Sequence, residues 1–456
     1  MTAQKSTTRR PALAYGDDRL HALQRNTFRY FWEETNPENG LTPDNTSGGD
    51  IPASIAGAGL ALSSYPVAAE RSFVSRAQAV ERTLATLRFF WNASQGPMAD
   101  ATGHRGFFYH FLDVSTGRRA WRSELSTIDT TVLIAGALTA AAYFDRSTED
   151  EREVRRLADA LYRRVDWQWA QNGEATVSHG WKPETGFLRY RWQGYNEALI
   201  LYVLGLGSPT HPLPRKSYLA WTSTYRWKKL YGSEFLYGAA LFMHQLSHLW
   251  LDFRGIQDAF MRRHAIDYFE NSRRATYVNQ RYAIRNPKRF REYGQYTWGI
   301  TASNGPGPAT RRVKGVTRRF LGYVARGVPN GPDDGTLAPW AVVASLPFAP
   351  EIVLPTLQHS AQTYPHMETE YGLVCSVNRT FPSRGAGGPG WISHNHFAID
   401  QGPVILMIEN HRSGLIWRLM RNCRYVAAGL RRAGFRGGWL SEAPRTARIT
   451  PAGDAP

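Results

Sequence analysis

Acidic residues recur just ahead of the apolar segments of this chain. Asp400 precedes one apolar run in "AIDQGP", and Glu197 precedes another in "QGYNEAL". A single carboxylate at such a place ordinarily caps a helix or interacts favourably with its dipole. Several carboxylates on one face would instead repel one another and drive their pKa values apart, which is a condition for acid–base chemistry. The residues in this pattern are Asp50, Glu124, Asp129, Glu197, Glu234, Asp333, Asp334 and Asp400.

The apolar segments themselves indicate how these acids are positioned. Segments such as 127–144 are apolar all round and predict buried helices, whereas segments such as 149–171 are charged on one side and predict outer helices. This alternation favours an all-α fold, an (α/α)6 double-ring barrel whose inner helices begin on one face. An α-solenoid or two bundles is the alternative, although no repeat of fixed period appears. The predicted helices are 17–34, 52–64, 70–92, 127–144, 149–171, 194–206, 218–230, 233–251, 256–279, 336–346, 350–363 and 403–421.

The 456 residues are interpreted as a single domain with short tails. The predicted (α/α)6 domain covers 15–440, and the polar, Pro- and charge-containing ends 1–14 and 441–456 are expected to be disordered. Two long segments rich in Gly and Pro, 301–338 and 380–393, lead into buried helices, which favours functional loops.

The chain is strongly basic, with a formal net charge of +17, and 48 of its 55 basic residues are Arg. A basic excess can indicate nucleic acid, an anionic membrane or an acidic ligand. The basic residues are spread out without a run of five, so no nucleic-acid partner is expected. The densest region, 262–291, is interpreted as a solvated outer face, with a docking surface for anionic glycan or membrane as the alternative.

Neither a metal nor another cofactor is expected. His244, His248 and Asp252 are spaced four residues apart on a predicted helix, which could hold a metal, but Gln245 stands where a zinc protease motif has Glu. Buried histidines are therefore the favoured interpretation. The two cysteines, Cys375 and Cys423, define no disulfide framework.

No run of 18 apolar residues exists, so no integral membrane span is predicted. The first residues, "MTAQKSTTRRPALAYGDD", lack the apolar region of a secretory signal. A cytoplasmic monomer is expected, or a periplasmic one if a leader is missing from the sequence.

Aromatic residues accompany the acids in the same loops. Flat rings stack on sugar rings, so carboxylates bordered by aromatic side chains suggest a saccharide site. Hydrolysis of a glycoside needs one carboxylic acid for the leaving oxygen and a second carboxylate for water or for the anomeric carbon. The aromatic residues concerned are Trp121, Trp192, Tyr195, Trp298, Trp340 and Trp391.

Six segments spread over about residues 17–440 carry a family resemblance. They are "ELSTIDTTVLIAGAL", "GSPTHPLP", "FMHQLSHLWLDFRGIQD", "YTWGITASNGPG", "DDGTLAPWAVVASLPFAPE" and residues 399–410. The sequence resembles the glucoamylase-like family of bacterial endo-β-1,2-glucanases, glycoside hydrolase family 144. The resemblance implies an (α/α)6 barrel, a β-1,2-linked glucan substrate, inversion of configuration and no metal requirement.

The sequence departs from the family pattern at three places. Leu373, Val374 and Cys375 follow Gly372 where an acid is usual, and Asn196 replaces the usual Ser before Glu197. The "FAID" ahead of Gln401 also lacks the usual Gly. These departures affect the expected linkage and chain-length preference more than the expected fold.

Glu197 is predicted to be the general acid, because Trp192 and Tyr195 beside it would desolvate the carboxyl and raise its pKa. Asp400 is predicted to be the general base, kept ionised by the positive end of the helix that it begins. Glu124 and Asp129 are the alternatives for the base and are otherwise expected to bind sugar hydroxyls.

The predicted function is endo-acting, inverting hydrolysis of β-1,2-glucan, with an oligo- or polysaccharide as the partner. The alternative is a non-catalytic glycan-binding or transglycosylase-type domain of cyclic β-1,2-glucan metabolism. The predicted substrate-binding residues are Glu124, Asp129, Trp121, Trp192, Tyr195, Arg254, Asp333 and Trp391.

Overall fold

The computed structural model describes residues 15–382 and 390–441. Most of the regular structure in these ranges is helical. The α-helices there are α1 Asp17–Glu33, α2 Ile55–Glu70, α3 Arg76–Asn92, α4 Thr127–Tyr143, α5 Glu149–Arg164, α6 Leu199–Gly207, α7 Arg215–Thr222, α8 Ala259–Arg263, α9 Tyr268–Arg285, α10 Pro339–Ala344, α11 Pro350–Thr363, α12 Ala398–Arg412, α13 Leu415–Arg421 and α14 Arg424–Ala433.

Short strands pair in antiparallel sheets of two or three. The strands are β1 Ala53–Ser54, β2 Gly103–His104, β3 Phe107–Phe108, β4 Phe111–Leu112, β5 Leu125–Ser126, β6 Gly180–Lys182, β7 Gly186–Phe187, β8 Trp227–Leu230, β9 Ser233–Leu236, β10 Ala302–Ser303, β11 Ala309–Val313, β12 Val316–Phe320, β13 Val324–Ala325, β14 Thr336–Leu337, β15 Glu368–Thr369, β16 Gly372–Leu373, β17 Val377–Asn378 and β18 Trp391–Ile392.

Helices α4 and α5 illustrate the two kinds of helix in this fold, the buried kind and the amphipathic kind. In α4 nearly every side chain is apolar or small and buried, and the Ser126 hydroxyl caps its start by accepting from the Asp129 N–H at 3.1 Å. In α5 one stripe is buried, and Thr148 caps the start. Acids occupy the first turn of α5 and arginines the last, which suits the helix dipole.

Glycines allow unusually close approach between helices that pack together. A Cβ on Gly136 of α4 would lie 2.0 Å from the Gly59 carbonyl oxygen of α2. The same holds between α14 and α6, where a Cβ on Gly429 would lie 1.9 Å from the Val203 carbonyl oxygen. Any larger side chain at Gly136 or Gly429 would therefore force the two backbones apart.

One hydrophobic cluster extends from Tyr15 to Leu440. Helices α2, α4, α6, α10 and α12 contribute almost entirely buried residues to it, and the amphipathic helices pack against them. The predicted predominantly helical fold, with buried helices against one-sided ones, is thereby confirmed. The single-domain boundaries at 15 and 440 stay a prediction.

The predicted helix at 233–251 is wrong. Its first part is strand β9, which pairs with β8 across a turn at Tyr231 and Gly232, both with positive φ. Its second part is two 3-10 turns, Leu241–His244 and Leu246–Leu249. The strand and the turns bury their apolar side chains as a helix would, so apolar composition did not distinguish the conformations.

The prediction of an all-α fold also needs correction, because short strands lie between the helices. Strands β1, β5 and β14 directly or almost directly precede the buried helices α2, α4 and α10. Each pairs with a loop segment from elsewhere in the chain and so fixes the start of its helix. Two-residue strands are too short to show an alternation of apolar and polar residues, which is why the sequence did not predict them.

Part of the predicted long loop 301–338 is a regular hairpin. Strands β11 and β12 pair over five residues each, with Lys314 and Gly315 in the turn at positive φ. The predicted disordered tails 1–14 and 441–456 lie outside the described residues, apart from Ser441. In the described ranges, no helix combines the length and the apolar character needed to cross a bilayer.

Candidate active site

Four of the predicted acids lie at the starts of three buried helices. Glu124 immediately precedes β5, and Asp129 is in the first turn of α4. Glu197 lies two residues before α6, and Asp400 is in the first turn of α12. The charge of Asp129 acts on the pKa of Glu197, and a fifth acid, Asp44, acts on that of Asp400. The five carboxyls therefore form one acidic cluster.

His110 sits between two of these acids. Its Nδ1 lies 3.0 Å from Glu124 Oε1, and its Nε2 lies 3.6 Å from Asp129 Oδ2. Burial alone would lower the pKa of His110, but Asp129, Glu124 and Asp44 outweigh it and raise the pKa to about 9. The imidazolium in turn holds the pKa of Glu124 below its ordinary value, against the effect of burial. His110 is therefore held as an imidazolium between these two acids, and the three side chains form a fixed triad.

Glu197 has the properties of an acid held protonated near neutrality. Burial, with the charge of Asp129 adding to it, raises the pKa of Glu197 to about 7. Its Oε2 is buried and has no hydrogen-bond partner among the described residues. Its backbone carbonyl accepts from the Ser247 hydroxyl at 3.0 Å, which fixes the chain just before α6.

Asp400 lies in an environment that disfavours its ionised form, contrary to the predicted effect of the helix dipole. Its side chain is 0% exposed, and neither carboxyl oxygen is within hydrogen-bonding geometry of a partner among the described residues. Burial, with Asp44 adding, raises the pKa of Asp400 well above its ordinary value, and the neighbouring Cys375 thiol opposes this only in part. The helix dipole is worth about 0.3–1 kcal/mol at an exposed terminus and cannot offset complete burial.

Asp44 was not predicted, because "TPDN" resembles an ordinary turn. Its carbonyl oxygen accepts from the Ala398 N–H at 2.9 Å, and its N–H donates to the Pro52 carbonyl oxygen at 2.9 Å. These bonds place it between the starts of α2 and α12. Burial raises the pKa of Asp44 as well, so the cluster combines raised and lowered carboxyl pKa values.

Tyr323 and Cys375 adjoin the cluster and were also absent from the predicted site. The pKa of Tyr323 is raised by burial of its hydroxyl and by the charges of Asp400, Asp44 and Asp129, although 52% of the residue is exposed. Cys375 is the residue found where the family pattern has an acid, and it is fully buried beside Asp400. Tyr323 follows the β11–β12 hairpin, so the long loop 301–338 does contribute to the site.

The predicted aromatic residues separate into two groups. Trp121 is 61% exposed, and its ring lies 5.0 Å from Phe111, which stacks on His110 at 4.0 Å. Trp391 is half-buried on β18. Of these two, Trp121 offers exposed ring surface near the acids.

Trp192 and Tyr195 are instead parts of the protein wall. Trp192 stacks on His179 at 3.8 Å and donates to Thr127, and Tyr195 packs between Tyr268 and His244. Both rings are buried, so their faces are largely unavailable to a sugar. Trp298 and Trp340 are buried as well.

Four other predicted acids lie outside the cluster or have structural partners. Asp50 is exposed, and Glu234 lies on β9 with Lys229 at 3.6 Å. Asp334 forms a buried ion pair with Arg326 at 2.8 Å. Asp333 accepts hydrogen bonds from two tyrosine hydroxyls, each at 2.8 Å, so its carboxylate is already engaged.

Arg254 does not lie with the acids. It forms an ion pair with Asp252 at 2.7 Å and covers the ring of Trp417 at 4.5 Å. Trp417 belongs to α13, which follows the C-terminal end of α12, whereas Asp400 is at the N-terminal end. The sequence placed Arg254 in the site because its motif lies in a resembling segment, and that motif stabilises the opposite end of the helices.

His244 and His248 have separate partners rather than a shared metal site. Both are buried, and burial lowers their pKa values to about 4 and about 3. His244 lies 3.2 Å from the Gly238 carbonyl oxygen, and His248 lies 3.0 Å from the Ser272 hydroxyl. Among the described residues, no group of three or more His, Cys, Asp or Glu is arranged to hold a metal ion.

The chain is similar to known proteins over most of its length. The model of the Glycoamylase family, described as "Putative glucoamylase", matches residues 189–424. A Bacteroides uniformis crystal structure with the same description is 31% identical, with a TM-score of 0.82 over 93% of this chain and 99% of that one. An endo-β-1,2-glucanase from Chitinophaga pinensis, in complex with sophorotriose and glucose, is 27% identical, with a TM-score of 0.81 over 93% and 100%.

A curated relative from Parabacteroides distasonis is an exo β-1,2-glucooligosaccharide sophorohydrolase acting at the non-reducing end. It is 26% identical over 447 residues, which are 91% of this chain. The chain spans 57% of that relative's length.

Proposed function

The chain belongs to the Glycoamylase family, and we propose that it is a glycoside hydrolase that cleaves β-1,2-linked glucan. Named relatives of similar fold act on β-1,2-glucan or its oligosaccharides. We extend that substrate class to this chain because it has an acidic cluster, with an exposed tryptophan beside it, at the starts of its buried helices.

The observation that carries the proposal is the protonation pattern of the cluster. Glu197, with its pKa raised to about 7 and a free buried oxygen, is assigned as the general acid that protonates the leaving glycosidic oxygen. A carboxyl with this pKa is a strong enough acid to donate and is still about half protonated at neutral pH. The fixed triad of His110, Glu124 and Asp129 would stabilise positive charge that develops on the sugar ring.

Asp400 is assigned as the general base that activates water. Its raised pKa makes the ionised form a stronger base than an ordinary carboxylate. The reactive form then has Glu197 protonated and Asp400 ionised, and hydrogen bonds from substrate hydroxyls to Asp400 would favour that ionised form. Asp129 is the alternative base, because it is electrostatically coupled to Glu197 and lies at the same end of the molecule.

The finer features of the proposal follow from this pairing. Water between acid and base requires roughly 6.5–9.5 Å between the carboxyls and yields inverted product. Endo action is proposed because Trp121 and Tyr323, which adjoin the cluster, both leave ring surface exposed. The arrangement of buried and outer helices is proposed to close as an (α/α)6 double ring.

The test is product analysis on linear β-1,2-glucan, with β-1,3-, β-1,4- and α-1,4-glucans as controls. We expect reducing ends from the β-1,2-glucan alone, a ladder of oligosaccharides, and α-anomer as the first product by NMR. Disaccharide alone would contradict endo action, and β-anomer would contradict inversion. Binding of β-1,2-glucan without product would favour the non-catalytic alternative and overturn the assignment.

A further inference from the structure

A second cavity, of about 330 Å³, lies at the opposite end of the helices from the acidic cluster. Helix α6 links the two sites, since it begins two residues after Glu197 and ends at Gly207 beside this cavity. Nine residues at 1.5 Å each put the ends of α6 about 14 Å apart. Four of the seven lining residues are arginines and none is acidic: Leu206, Leu213, Arg215, Arg431, Arg432, Gly434 and Arg436.

Two of these arginines are held in place by carbonyl oxygens. Arg432 donates to the Leu206 carbonyl oxygen at 2.6 Å, and Arg431 donates to that of Leu440 at 3.1 Å. Such bonds satisfy carbonyl oxygens that have no partner within a helix, and the negative end of the helix dipole favours a positive charge there. Both are ordinary structural roles. Each guanidinium has five N–H donors, so both retain donors for a ligand in a fixed orientation.

Arg215 and Arg436 have no comparable structural role. Arg215 begins α7 and extends toward Gly434, where its Nη2 lies 3.5 Å from the position of an added Cβ. Arg436 is fixed by its backbone, which exchanges two hydrogen bonds with Gln257. In ranges 15–382 and 390–441, none of the four arginines forms an ion pair with a carboxylate.

A fifth arginine extends the same charge. Arg262 donates to the Gly434 carbonyl oxygen at 3.1 Å, at the rim of the cavity. Like charges gathered without a counter-charge raise the free energy of the folded chain, and an anion bound among them would remove that cost. The arginine cavity therefore has the chemistry of an anion site.

We propose that the arginine cavity binds a phosphate-bearing ligand. A phosphoryl group carries close to two negative charges and three terminal oxygens, so it can accept from more guanidinium forks at once than a single carboxylate, which has one charge and two oxygens. The volume exceeds that of a phosphate ion, and Leu206 and Leu213 supply an apolar wall for an organic part. The site is separate from the proposed hydrolytic one.

The experiment is calorimetric titration of the full chain at low ionic strength with glucose 6-phosphate, inorganic phosphate and glucose. We expect saturable binding of both phosphates and none of glucose. Tighter binding of glucose 6-phosphate would identify a small phosphorylated sugar as the ligand. Equal binding would show that the phosphoryl group alone is recognised, as for a phosphate substituent on a larger glycan. Absence of saturable binding by either phosphate would overturn the proposal.

The matched variants are R215A/R436A and R25A/R118A, each of which removes two exposed arginines. The first should weaken phosphate binding at least about tenfold, because two charge-assisted forks are lost, and the second should leave it within about twofold. Equal weakening in both would show a general effect of net charge and overturn the site. E197Q should leave phosphate binding unchanged, so failure of the proposed hydrolysis would not affect this result.

Discussion

The two ends of the buried helices differ in charge and in burial. At one end carboxylates gather at the starts of α4, α6 and α12, and at the other end arginines gather around the ends of α6 and α14. Both arrangements have the sign that helix dipoles favour. The difference is that Asp400 and Glu197 are withdrawn from water, whereas the arginines of the cavity are exposed. Burial, more than the dipole, decides which groups stay charged.

Among the variants that distinguish the two ends, E197Q should have the largest effect on catalysis. Loss of the general acid should lower kcat on β-1,2-glucan by about 10²–10⁴-fold, with little change in glucan binding. Initial rates of reducing-end release measure it. E234Q is the matched control, because Glu234 is exposed on a hairpin and should be replaceable without effect. Near-normal turnover in E197Q would remove Glu197 from the mechanism.

The pH dependence of kcat/KM should show the raised pKa of Glu197. Because the acid must be protonated and the base ionised, kcat/KM should bend at the pKa of Glu197, about 7, and again at the raised pKa of Asp400. In D129N the bend near pH 7 should move to lower pH, because the charge of Asp129 helps to raise the pKa of Glu197. An unmoved bend in D129N, or the same shift in the exposed control D50N, would contradict the coupling.

D400N should stabilise the protein, and more so as pH rises. Because the folded-state pKa of Asp400 is raised, the native carboxyl favours its proton, so stability is highest below the ordinary carboxyl pKa and is lost as pH rises toward the folded value. The variant removes a cost of about 1.4 kcal/mol per pH unit across that window. Urea denaturation at pH 4 and pH 7 measures it, and an equal difference at both would refute the assignment.

The smallest expected effect on catalysis is that of R254A, which lies at the end away from the acids. KM for glucan should stay within about twofold, because Arg254 pairs with Asp252 beside α13. Stability should fall nevertheless, since Asp252 is fully buried and would lose one of its two arginine partners, Arg254 and Arg421. A tenfold rise in KM would restore the substrate-binding role that the sequence predicted.

The sequence predicted most of the helical framework. Segment 127–144 corresponds to α4 and 350–363 to α11, because a long, wholly apolar or clearly one-sided pattern leaves few alternatives. Segment 233–251 was wrong because buried strands and 3-10 turns share the composition of a buried helix. Paired two-residue strands such as β5 depend on partners distant in the chain, and no local pattern reports them.

The candidate site was predictable in its acids and not in its electrostatics. Glu124, Asp129, Glu197 and Asp400 were found because each precedes an apolar segment. The raised pKa of Asp400 depends on its complete burial. The contact of His110 with two acids depends on a loop in which His110 lies 14 residues before Glu124. Both are products of tertiary packing, which the order of residues does not show.

The glycine contact between α2 and α4 has a consequence for how the site could change in evolution. With Gly136 against the Gly59 carbonyl, the spacing of these two helices is already at its lower limit. The mouth bounded by their first turns, which include Asp129, can then widen by a single substitution but cannot narrow. A variant with a wider mouth therefore needs one substitution at Gly136 or Gly59, whereas a narrower mouth must come from the surrounding loops.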